Sequence, residues 1–199
     1  MTRAAHNEKL FDMRIFLSIL ILIFSFQSLI KADITNIEIE GMSIGDSALN
    51  FFSNNEIENS KKKWFKNNKY SISVMRSNKF EKYEKIQIVY KTTDSKKKLI
   101  AIDGLIDFDD IQLCYQKLDG IAEEISSLLP NLVTLGKSTF KHSGDPSGKS
   151  TVTDHNFEND NKDEIQVACY DYSKELGNDH LRVGIRLIEY REFLLNDAY

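Results

Sequence analysis

The clearest pattern of apolar and polar positions lies over residues 109–129, where Ile111, Cys114, Leu118, Ile121, Ile125 and Leu128 recur at the spacing of one face of a 3.6-residue helix. Asp107, Asp109 and Asp110 crowd its start, where carboxylates accept from free backbone N–H groups and meet the positive end of the dipole. Pro130 ends it. Gly120 inside it costs about 1 kcal/mol relative to alanine, so packing rather than propensity must hold this helix. On both sides the period changes to two. Residues 35–40, 70–75, 86–92, 99–107, 132–142, 150–157, 165–172 and 181–188 alternate as strands do, with Ile86, Ile88 and Tyr90, or Leu181, Val183 and Ile185, pointing one way. D-S-K-K from Asp94 and E-L-G-N-D from Glu175 are turns, Gly104 marks a bulge, and residues 154–164 read as a polar loop. After the turn at 41–47, Asp46 or Ser47 caps a short helix through Ala48, Leu49, Phe51, Phe52 and Ile57, and residues 190–199 form a terminal helix or a frayed end. The expected fold is α+β: a mainly antiparallel sheet of hairpins, wet on one face and packed on the other by a single long helix, plus a short N-terminal helix.

The first 32 residues follow a different rule. Arg14 precedes an apolar run over residues 15–26, and Q-S-L-I-K-A then leads to the small Ala32. A positive residue, a short apolar core and a small-residue site are the layout of a secretory signal peptide, and the core falls short of the roughly 20 residues of a membrane span. The expectation is an N-terminal extension and signal over residues 1–32 and a single exported domain over 33–199, periplasmic or secreted, or anchored by its N-terminus if the signal is not cleaved. The start is either Met1 or Met13, since the dozen residues before Met13 add nothing to a signal. No cysteine follows the run, so a lipoprotein anchor at this place is not supported.

Composition narrows the classes further. The chain has 199 residues, 41% hydrophobic and 28% charged, enough for one core, and a net charge of −4. That balance argues against a dedicated nucleic-acid binder. The abundance of Lys, Asn, Ile and Ser, with only 2 prolines, suggests a bacterial genome rich in A and T. I-E-G-M-S-I-G-D-S-A-L, from Ile39 to Leu49 just after the signal, resembles the opening of a group of small exported proteins of marine proteobacteria. The resemblance implies export and a comparable length, and carries no catalytic residues.

Candidate chemistry is sparse. Lys61, Lys62, Lys63, Trp64, Phe65 and Lys66 mix cations with the only tryptophan, which suits an anionic lipid or envelope polymer if the aromatics are exposed; the alternative is a solvated loop with one ring tucked into the core. Asp103, Asp107, Asp109 and Asp110 lack calcium-loop spacing and read as helix capping, so no metal site is assigned. S-G-D-P-S-G-K-S over 143–150 imitates a phosphate loop, but Gly144 and Gly148 stand one residue too close and no helix pattern follows, so a turn is expected and no nucleotide. His155 beside Asp154 lacks convergent metal ligands, and His142 and His180 have no nucleophile beside them. There are 2 cysteines, Cys114 on the helix face of Leu118 and Cys169 on the strand face of Val167. If that helix covers that strand in an oxidising compartment, the two pair; otherwise they are buried free thiols. No cofactor is implied. The preferred function is a non-catalytic envelope accessory or binding module, with an envelope protein or an anionic envelope polymer or lipid as partner. The alternative is a small secreted hydrolase in which His142, His155 or His180 meets a carboxylate in a deep pocket.

Overall fold

The structure, a computed structural model, describes residues 34–198; the extension and signal expected over residues 1–32 lie outside the described residues. It is mixed helix and sheet, consistent with α+β. Helix α1 (Asn54–Asn59) precedes strands β1 (Lys61–Lys62), β2 (Tyr70–Arg76), β3 (Lys85–Lys91) and β4 (Leu99–Asp107). Helix α2 (Ile111–Leu128) leads to β5 (Val133–Lys141), β6 (Thr151–Glu158), β7 (Glu164–Asp171), β8 (His180–Arg186) and helix α3 (Ile188–Asn196). The strands form one open sheet in the order β1-β2-β3-β4-β8-β7-β6-β5, antiparallel throughout. It is two meanders joined where β4 meets β8, and α2 carries the chain from the centre of the sheet to its far edge.

Opposite residues in an antiparallel pair share a face, so the register sorts the sheet into two sides. On the first side, Ile88, Ile102, Ile185 and Ile165 stand in one row across β3, β4, β8 and β7. The helix α2 lies against β7, β8 and β6, where Cys114 and Leu118 pack on Val167, Cys169 and Leu181. Its N-cap is Asp110, which accepts from the Gln112 N–H at 2.9 Å. The β2–β4 half of this face is covered by the N-terminal segment, with Ile34, Ile39, Met42, Ile44, Ala48 and Ile57 in the core beside Met75, Ile86 and Leu99. Cys114 and Cys169 form a disulfide with Cα atoms 6.0 Å apart, inside the usual bonding range.

Several local expectations are corrected. The single N-terminal helix is a 3₁₀ turn (Ala48–Asn50) and a separate α1, because Ser53 and Glu56 form a capping box that starts a new helix. The strand expected at 35–40 is reduced to one bridge between Ile39 and Met42, because Glu40 and Gly41 both take positive φ. Gly104 is not a bulge; a methyl there would meet the Tyr83 ring at 2.4 Å, and the register shift lies between Val89 and Tyr90 instead. The polar loop at 154–164 is mostly strand, with Asp154, Glu158, Asp163 and Glu164 buried. Of the two readings of residues 190–199, the helix is found, as α3 over Ile188–Asn196. Most consequential, the second face is not simply wet. Tyr190 and Phe193 of α3, with Phe65, pack on Tyr70, Ile72, Val89 and Ala101, and the other half of that face carries buried charge.

Candidate functional site

The second face holds a ladder of polar side chains that crosses six strands. Ser138 Oγ donates to Asp154 Oδ1 at 2.8 Å, and Gln166 Nε2 donates to Asp154 Oδ2 at 2.8 Å. The Arg186 Nη2 donates to Gln166 Oε1 at 2.5 Å and lies 3.7 Å from Asp103 Oδ1, while Gln87 Nε2 donates to Asp103 Oδ2 at 2.8 Å. Glu164 faces the Arg186 Nε at 3.5 Å. Gly184 makes room for this arrangement, since a Cβ there would sit 1.9 Å from Asp103 Oδ1. Buried charge persists only when so compensated.

Part of the ladder is left open. Gln87 Oε1, Asp103 Oδ1, Arg182 Nε and Arg186 Nε are buried without a hydrogen-bond partner among the described residues. Native structures leave few such atoms, so four on neighbouring side chains call for an explanation. All four residues line one cleft of about 590 Å³, within the ordinary range of small-molecule sites. Tyr170, Tyr172, Tyr190, Phe65 and Leu194 give it apolar walls, and Lys63 and Trp64 stand at its rim, Trp64 being 48% exposed. The Arg182 guanidinium lies over the Tyr170 ring, 4.6 Å from its centroid. Burial opposes its charge, but the fields of Tyr170, Asp103 and Tyr172 outweigh that and raise its pKa, so it stays a cation.

The stretch read as surface-binding is divided by the fold. Lys61 and Lys62 pair with β2 as β1, and Lys61 bonds Glu58 at 2.6 Å. Lys63 and Trp64 reach the cleft; Phe65 packs edge-on against Phe193 at 4.9 Å; Lys66 is exposed, its N–H donating to the Ala198 carbonyl. The turn at 143–150 directs the Ser147 and Ser150 N–H groups onto the Asp145 carboxylate, each at 2.9 Å, and runs into β6 rather than a helix. Its own side chain thus occupies the donors a phosphate would need.

The histidines separate. His155 is on the first face, stacked on Phe157 with its Nε2 at 2.9 Å from Thr134 Oγ1. His180 stacks on Tyr170. His142 and Asp103 both line the cleft, the convergence a hydrolase needs. Yet His142 Nδ1 accepts from the Gly144 N–H at 3.2 Å, which assigns the ring proton to Nε2, and that nitrogen faces Tyr172 Oη at 3.4 Å. In that tautomer the one lone pair of the ring is engaged by the Gly144 N–H. Burial and the charge of Arg182 also lower its pKa. Among the described residues no group of three or more His, Cys, Asp and Glu could hold a metal ion.

The polar ladder and the cleft floor were missed from the sequence because Gln87, Asp103, Gln166, Arg182 and Arg186 alternate with apolar neighbours and so imitate a solvated face. The available signal was their type: arginine, aspartate and glutamine concentrated on central strands, where a wet face would carry lysine, serine and threonine. Compared with protein families, curated proteins and solved structures, the chain gave no match.

Proposed function

We propose that the protein is an exported, non-catalytic binding module of the bacterial envelope whose ligand enters the second-face cleft. The observation that carries this reading is the set of buried polar atoms without a hydrogen bond on Gln87, Asp103, Arg182 and Arg186 at the floor of an aromatic-walled cleft. A few fixed polar groups inside an apolar wall are what orient a small ligand. The engaged ring nitrogens of His142 favour binding over hydrolysis. Export is supported by the signal-like pattern before Ala32, and the disulfide fits an oxidising compartment.

The test is native mass spectrometry of the protein purified from its own envelope, followed by thermal melting with the low-molecular-weight fraction of that envelope. A bound small molecule, or a rise in Tm that Trp64→Ala reduces, is expected. Neither a bound molecule nor a rise in Tm would overturn the reading.

A further inference from the structure

Resting on that reading, we infer that the cleft takes a sugar acid of the uronate type, its carboxylate on Arg182 and its hydroxyls donating to Gln87 Oε1 and Asp103 Oδ1. Charge gives the first constraint. The charged residues lining the cleft are Lys63, Arg182 and Arg186 against Asp103, a positive site in a chain of net charge −4. Asp103 is already faced by Arg186, with Arg186 also beside Glu164. Arg182 is the cation left over: its Nε is buried and unpaired, and no ion pair joins it to a carboxylate among the described residues. A planar fork in that state fits a carboxylate, which accepts two parallel N–H bonds.

The acceptors give the second constraint. Gln87 Oε1 and Asp103 Oδ1 need donors, so the anion must also carry hydroxyl or N–H groups. An ammonium is disfavoured because Arg182 and Arg186 stand beside those acceptors, and like charges at such distances repel. Hydroxyls meet the same need without charge. A phosphate dianion is less suited than a carboxylate, because Asp103 lies on the same floor and Lys63 contributes only from the rim. The walls give the third constraint. The negative face of the exposed Trp64 ring suits the polarised C–H face of a sugar ring.

Isothermal titration of the disulfide-bonded protein with galacturonate and its short oligomers, against galactose, galactose 6-phosphate and glutamate, tests this. Galacturonate or its oligomers should bind about tenfold or more tighter than galactose, the difference expected for a hydrogen-bonded charge. Arg182→Gln should bring uronate affinity down to the galactose level with unchanged circular dichroism, and exposed Lys63→Gln should lower it by about threefold or less. Where Arg182→Gln does not fold, Arg182→Lys, which keeps the charge and loses the fork, should still weaken uronate binding. Equal affinity for galactose, tighter binding of the phosphate or glutamate, no uronate binding, or full uronate affinity in the Arg182 variant that folds would each overturn the inference. Binding of one of the other compounds would leave the binding module standing, whereas its failure is read separately from the envelope preparation.

Discussion

His180 shows how a single side chain couples this fold to pH. It is buried against Tyr170 with ring centroids 4.7 Å apart, its Nδ1 lies 3.1 Å from the Asn178 carbonyl, and its Nε2 has no partner among the described residues. Burial first, and then the charge of Arg182, push its pKa down to about 4. The unfolded value is about 6.5, so above that pH both states are neutral and His180 adds no slope. As pH falls from about 6.5 towards 4, the unfolded chain takes up a proton that the folded one refuses, and stability drops by about 3 kcal/mol over the full window. His142 is shifted in the same direction. The lowered carboxylates Glu40 and Glu158 lose their contribution at lower pH, so they leave most of this window to histidine. Urea unfolding at pH 7 and at pH 4.5 should therefore show a drop that His180→Gln largely removes. An unchanged drop in that variant would show that the ring does not set the slope.

At the scale of the element, what was legible was local. The cap at Asp110, the spacing of Cys114, Leu118 and Ile125, and the stop at Pro130 are all contained in one stretch, and α2 (Ile111–Leu128) matches them closely. The hairpins were legible for the same reason. The N-terminal helix was not, because two caps, Ser47 and Ser53, compete over a few residues. The disulfide ties α2 to β7 across 55 residues. Closing a loop of that size stabilises by about 4 kcal/mol in the chain-entropy model. Cys114→Ser with Cys169→Ser should lose an amount of that order in denaturant unfolding, and the denatured, unreduced chain should label at no thiol. Two labelled thiols, or a loss under about 1 kcal/mol, would contradict this. The free edge β5 exposes Val133, Leu135 and Phe140, and Lys137, Lys141 and the Gly136 irregularity blunt it against pairing with another sheet.

For the molecule as a whole, the sheet was readable and its second face was not. Alternation reports which residues share a side, but it does not say whether water or protein covers that side. Here the cover comes from remote pieces: α3 with Tyr190 and Phe193, and the loop bearing Phe65. Only their meeting turns Arg186, Asp103 and Gln87 from surface residues into the floor of a cleft. The proposed compartment has its own consequence. Intact-mass analysis of the envelope fraction should find a chain starting at Asp33. Full-length soluble protein in the cytosol would contradict export.

The suture between β4 and β8 also sets a timetable. β4 has seven buried residues from Leu99 to Leu105 and is made early, yet β8, the strand that completes it on one side, follows only after α2, β5, β6 and β7. Throughout that interval the most apolar strand of the sheet offers an open row of N–H and C=O groups to any passing chain. A growing chain is thus exposed to mispairing until β8 is made, and a carrier that shields β4 until then would raise the yield of folded protein more than one acting on the finished fold.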